Sequence, residues 1–279
     1  MRISPLAKLG LRIATGVTLA FIYVPLAIIV LYAFNSRRTL TWPIPGLTFK
    51  WFGKAFDNPG VRDALTTSLK AGLGATALAL LLGTLASIAV SRYRFFGRET
   101  VSFLVVLPIA LPGIVTGMAL NATFRTVLEP LGIGLGLFTI IVGHATFCIV
   151  VVYNNVIARL RRTSRSLEEA SMDLGADTWQ TFRFVTFPAL RSALFAGGLL
   201  AFALSFDEVI VTTFTAGANQ TLPIWILTNL SRPNQLPIVN VVAVLVILLS
   251  AIPVYLAQRL SRDTSGIAGP ATAAAGARQ

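Results

Sequence analysis

Two acids stand side by side where acids are rare. Asp207 and Glu208 lie in LSFDEVIVTTF, with AGGLLAFA before them and VIV after. A carboxylate at the centre of a bilayer costs about 2.5–3.5 kcal/mol on insertion scales. Such groups face a bundle interior or a wet cavity, where they attract cations and exclude anions. Neighbours on a helix point about 100° apart, so one acid can face a cavity while the other pairs with an adjacent helix. Asp207, with Glu208 second, is therefore a candidate cation contact facing a cavity in the outer half of the membrane. The competing assignment is a structural ion pair, with Lys70 or Arg125 as partner. At ~1.5 Å per residue, Asp207 falls roughly 21 Å along a helix begun at Ala193, in the outer half of the membrane.

Other chemistry is thin. His144, which follows Gly143 in an apolar stretch, is the sole histidine. It is read as a hydrogen-bonded packing group rather than a proton carrier. Asn121, Asn154 and Asn155 are read as interhelical hydrogen-bonding groups. Cys148 is the one cysteine, so no internal disulfide forms and no metal spacing exists. There is no GxxxxGK[ST] phosphate loop, and the chain should not bind ATP itself. Gly72-Leu73-Gly74 resembles the start of a dinucleotide fingerprint but lies in an apolar helix with no strand before it. No Ser-His-Asp arrangement is supported.

The elements that must position these residues are membrane helices. Of 279 residues, 55% are hydrophobic and only 12% charged, about half the charged share of a soluble domain. Backbone groups in lipid must bond internally, which makes the apolar blocks helices. Six are expected, over 11–34, 65–90, 101–124, 137–158, 193–215 and 239–258. The first follows MRISPLAKLGLR and reads as an uncleaved membrane helix, since a secretory signal has a shorter apolar core. The formal charge of +12 is assigned to Arg and Lys flanking helices and facing anionic lipid, not to nucleic acid. With both termini cytoplasmic, only Arg37, Arg38, Lys50, Lys54, Arg62, Lys70, Arg125 and Arg232 fall on the outer side. The bias thus favours termini inside.

Between the helices, Trp42, Trp51 and Phe52 suit a membrane interface, and a short surface helix is expected in that first outer loop. A second is expected around TLPIWILTNL. In IALPGIVTGMAL, Pro112 should kink the third helix, and the Gly113–Gly117 spacing lets another helix approach closely. Residues 1–262 are expected to form a single transmembrane domain. The tail 263–279 is small, polar and expected to be disordered.

The inner loop 159–192 is long and mixed in character: RLRRTSRSLEEASMDLGADTWQTFRFVTFPALRS. Ser166 is expected to cap a helix, with Glu169 completing a capping box. Gly175 should end that helix and a second should begin near Asp177. A hairpin of apolar and charged residues on the cytoplasmic side is a docking site for a soluble partner. Glu169-Ala170-Ser171, three residues, Gly175, nine residues, Val185, one residue, Phe187-Pro188 resembles the EAA loop of binding-protein-dependent ABC importer permeases. That family's pattern is EAA, three residues, Gly, nine residues, Ile, one residue, Leu-Pro. Ser171, Val185 and Phe187 are mild departures. LPIALPGIVTGMAL, VVYNNVIARLRRTS and LSFDEVIVTTFTAG extend the resemblance, within the family, to the second permease of spermidine and putrescine importers.

The resemblance implies an all-α integral membrane fold of six transmembrane helices with a cytoplasmic EAA coupling loop, the type I ABC importer permease fold, in the bacterial inner membrane. It implies partners: an ABC ATPase dimer that binds ATP and Mg, a second homologous permease, and an extracytoplasmic substrate-binding protein. No cofactor is expected in this chain. Carried over by position, Glu169, Ala170, Ser171, Gly175, Ala176 and Pro188 would contact the ATPase. The expected function is import of polyamines by alternating access. The alternatives are another small amine or amino acid such as 4-aminobutyrate, an ion-coupled secondary transporter, or a structural scaffold.

Overall fold

The computed structural model describes residues 4–265. Apolar sequence and the need to satisfy backbone groups give helices throughout. They are α1 (Pro5–Ala33), α2 (Lys50–Asp57), α3 (Pro59–Arg92), α4 (Arg98–Ala110), α5 (Gly113–Thr123), α6 (Leu137–Arg162), α7 (Ser166–Asp173), α8 (Thr178–Thr181), α9 (Phe187–Phe206), α10 (Ile210–Thr215), α11 (Leu222–Asn229) and α12 (Leu236–Ser265). Among the described residues, the only β pairing is a bridge between Asn35 and Leu47. Among the described residues, five helical stretches are long and apolar enough to cross a membrane, and a bent pair, α4 with the segment beginning at Gly113, adds a sixth when counted as one span.

Two expected spans are not continuous. The third breaks at residues 111–112 with a bend of 107°, a larger change than the expected kink. Pro112 has no N–H to continue the ladder, and Leu111 before it is extended, as a residue preceding proline prefers. The fifth was expected over 193–215. It instead runs from Thr178 to Phe206, and residues 207–209 separate it from α10. The helix thus starts inside the inner loop and stops at the two acids.

The described residues divide into two units, 4–64 with Ile224–Leu248, and Leu65–Pro223 with 249–265. In the first, α1 leaves its apolar faces open, with only Ala33 buried. The expected outer surface helix is α2, and α11 matches the second one. Trp51, expected at the membrane interface, is instead 3% exposed. Its indole N–H donates to the Asn35 carbonyl at 2.7 Å and holds the loop on its helix.

In the second unit, α3 carries Ala71, Ala75, Ala79, Gly83 and Ser87 at four-residue spacing, all buried. This stripe of small residues admits α6 to close range. A Cβ on Gly83 would lie 2.9 Å from the Ile149 carbonyl oxygen. Ser87 Oγ reaches both the Gly83 carbonyl (2.7 Å) and the Tyr153 carbonyl (3.1 Å), and Tyr153 in turn meets Ser102 of α4 at 2.7 Å. The opposite face of α6 packs on α9, where a Cβ on Gly197 would lie 3.4 Å from the Val152 backbone. Most of the expected tail, residues 266–279, lies outside the described residues.

Candidate functional site

The two helix breaks adjoin. α5 and α10, the half-helices that follow them, begin side by side: a Cβ on Gly113 would sit 3.5 Å from Ile210. One turn on, Gly117 is buried against the Phe214 ring, and Asn121 Nδ2 donates to the Phe214 carbonyl at 2.5 Å. The expected Gly113–Gly117 close approach is present, and α10 is what fills it. Non-helical backbone at membrane depth is tolerated only where protein buries it or where it lines a wet cavity.

His144 pins the fifth-segment break from α6. It is fully buried, with Nδ1 2.7 Å from Ser205 Oγ before the break and Nε2 2.8 Å from Thr212 Oγ1 after it. Thr212 donates its hydroxyl hydrogen to the Glu208 carbonyl at 2.7 Å. Nε2 must then carry the hydrogen given to Thr212, and Ser205 donates to Nδ1 in the neutral ring. This is the packing role expected for His144. Thr139 Oγ1 adds a bond to the Thr215 carbonyl at 2.7 Å, satisfying the far end of α10. Asn155 departs from expectation, since it bonds the Val151 carbonyl of its own helix.

The acids are not equivalent. Glu208 is half-buried, and its Oε1 accepts the Val211 N–H at 2.9 Å, starting α10. Asp207 caps α9 through its backbone while its side chain is exposed. Among the described residues neither acid forms an ion pair. Arg125, one of the expected partners, instead faces Glu129 at 3.9 Å on the surface.

The inner loop is the second candidate element. α7 ends in a Schellman motif: Gly175, at φ +90°, donates to the Met172 carbonyl and Ala176 to the Ser171 carbonyl. The expected Ser166–Glu169 capping box is absent. Ser166 is the first helical residue, its N–H taken by Ser164 Oγ at 3.3 Å, and Arg165 occupies the cap position. The box sits instead at α8, where Asp177 Oδ1 accepts from Gln180 N–H (2.8 Å) and Gln180 Oε1 from Asp177 N–H (3.0 Å). Asp-x-x-Gln was the overlooked signal.

Pro188 explains the next turn. Lacking an N–H, it cannot bond the Phe184 carbonyl, and the helix widens to a π-turn over Phe182–Thr186. There Phe187 N–H reaches back to the Phe182 carbonyl. α8, this turn and α9 are consequently one rod.

Glu169 and Ala170 are exposed, Ser171 and Ala176 half-buried, and Gly175 and Pro188 exposed. Around them Leu174 is 90% exposed, with Trp179 and Phe184 also projecting. Such a cluster on one short loop is a candidate interaction surface. The residue that sequence reasoning missed is Glu168. It is 13% exposed and bonds Arg92, also 13% exposed, at 2.9 Å.

These features coincide with a family. Residues 71–266 match the model for the binding-protein-dependent transport system inner membrane component. The chain belongs to this family. It is a permease subunit of an ABC importer, a multi-pass inner-membrane protein and not itself an enzyme. It is 33% identical over 232 residues to the putrescine transport system permease protein PotI of Escherichia coli K12, covering 81% of this chain and 82% of the relative. It is 34% identical over 251 residues to the spermidine/putrescine transport system permease protein PotC of Haemophilus influenzae, covering 89% and 95%. A chain of a bacterial ABC transporter involved in the import of the acidic polysaccharide alginate shares the fold, with TM-score 0.68 at 17% identity over 94% of this chain and 99% of that one. Family membership sets aside the secondary-transporter and scaffold alternatives.

Proposed function

We propose that this permease carries polyamines inward, with Asp207 as the acid that ammonium groups meet on the pathway. The observation that carries the reading is Asp207 standing exposed, and in no ion pair among the described residues, where two helix breaks adjoin. The relatives named for putrescine and for spermidine/putrescine support the substrate class. Polyamines are elongated polycations, and a fixed carboxylate at a wet constriction favours them over anions. Glu208 contributes negative charge while it holds the start of α10.

Energy comes from an ABC ATPase dimer that binds ATP and Mg and docks on the exposed face of the loop at Glu169, Ala170, Ser171, Gly175 and Ala176, with Pro188 shaping the rod behind them. The small residues and the Schellman turn leave backbone open to close approach. ATP-driven closure pushes the loop, and the rod from Thr178 to Phe206 ends at Asp207. Motion at the loop would therefore reach the pathway acid directly, switching access from outside to inside. Both termini are cytoplasmic in this arrangement, and an extracytoplasmic binding protein delivers substrate. A second permease completes the pathway. Its docking is supported by the open faces of α1 and by an apolar groove of about 1280 Å³ between α3, α9 and α12. That groove is larger than a small-molecule site.

The test is energised uptake of labelled putrescine and spermidine by cells expressing the whole complex, at matched membrane levels. Uptake that requires the ATPase and falls in Asp207→Asn supports the reading. Uptake of 4-aminobutyrate but not polyamines would replace the substrate. Full polyamine uptake by Asp207→Asn would remove the residue from the pathway.

A further inference from the structure

Glu168, adjacent to the motif glutamate, points the other way. Its Oε1 accepts from Arg92 Nη2 at 2.9 Å, Arg92 Nε at 3.2 Å and Thr186 Oγ1 at 3.1 Å. The two donor residues come from different elements. Arg92 is the last residue of α3, and Thr186 closes the π-turn leading into α9. Thr186 is 8% exposed. Glu169, about 100° around α7, meets only the exposed Arg165 among the described residues, at 3.2 Å. One acid therefore faces out and the next faces in.

We propose that Glu168 is a positioning residue that clasps the first helix of the loop to two membrane helices at once, so that force on the loop moves α3 and the α8–α9 rod as one body. This rests on reading the loop as the ATPase-coupling element. The physical case is the chemistry of the contact. Charge-assisted bonds to a guanidinium are roughly twice as strong as neutral ones, and this pair is largely shielded from water. A hinge between α7 and α3 would need an exposed, exchangeable contact there, such as the one Glu169 makes. Removing one partner of such a pair leaves the other uncompensated, whereas removing both does not. The clasp therefore predicts non-additive variants.

The experiment uses the full complex reconstituted in proteoliposomes and reads substrate imported per ATP hydrolysed, alongside ATPase retention. In Glu168→Gln and Arg92→Gln, with the ATPase still bound, that ratio should fall about fivefold or more, the lower bound of a typical coupling free energy. The double variant should be no worse than the worse single. Thr186→Val removes one bond and no charge, and should lower the ratio less. An unchanged ratio in assembled Glu168→Gln and Arg92→Gln overturns the clasp, as do losses in the double variant that equal the product of the singles. If Glu168→Gln does not accumulate, Arg92→Gln and Thr186→Val decide by the same ratio. Leu174→Asp, on the exposed face, separates the two ideas. If it leaves the ATPase bound, the docking face itself is misassigned. If it releases the ATPase while the charge variants stay coupled, only the clasp fails.

Discussion

Replacing His144 by leucine tests whether the break at residues 207–209 is held in place or merely tolerated. The ring spans the break through contacts of 2.7 Å to Ser205 and 2.8 Å to Thr212. Interhelical side-chain hydrogen bonds in membranes average about 0.6 kcal/mol, with a maximum near 1.7, so two such bonds amount to about 1–3 kcal/mol. The lower half of that range applies. Leucine fills most of the ring's volume, and Thr212 keeps its bond to the Glu208 carbonyl. His144→Leu should therefore lower the stability of the purified complex in detergent by about 1–2 kcal/mol. Uptake should fall as well, because α9 and α10 lose the tie that sets the direction of Asp207. His144→Gln, which retains a donor and an acceptor, should recover part of both. An unchanged unfolding midpoint together with unchanged uptake in His144→Leu would refute the reasoning, since it would mean that packing alone fixes the break.

Other outcomes follow from single contacts. Gly83→Ala places a Cβ 2.9 Å from a backbone oxygen of α6, and overpacking of about 1–3 kcal/mol outweighs the gain of up to about 1 kcal/mol from a better helix former. Its thermal unfolding midpoint should drop, whereas Gly53→Ala, with nothing within 4 Å, should raise or preserve it. Asp177→Ala removes the α8 cap and should cost about 1 kcal/mol locally, read as faster hydrogen exchange at the Gln180 and Thr181 amides with exchange in α9 unchanged. Asp207→Asn should lower polyamine uptake while ATPase association survives, whereas Glu208→Gln, which keeps an acceptor for the Val211 N–H, should show a smaller uptake loss, and Glu208→Ala should speed exchange at the Val211 amide.

Much of the architecture was legible because bilayer physics acts on sequence directly. A chain that must satisfy its own backbone in lipid writes each span as an apolar block, and the positions of α1, α3, α6 and α12 follow from that rule to within several residues. The loop was legible through turn chemistry, since Gly175 is needed at positive φ and Asp177 is a strong helix cap. Pro112 marked a kink for the same local reason, though the full break needed the structure. These features depend only on neighbours in the chain.

What needed the tertiary structure was the direction each polar group faces and the partner it finds. Glu168 and Glu169 are alike in sequence, and only the position of Arg92, 76 residues earlier, makes one the anchor and the other the outward acid. Asp207 and Glu208 read as a pair inside a continuous helix. Their separation into an exposed acid and a helix-starting one depends on His144, Asn121 and Thr139 reaching across from other segments. The small-residue stripe from Ala71 to Ser87 gained its meaning only when α6 was laid against it. A hydrophobic block states that a helix will be buried. Which face it buries, and where another segment can hold it open, is decided by contacts that no local stretch contains.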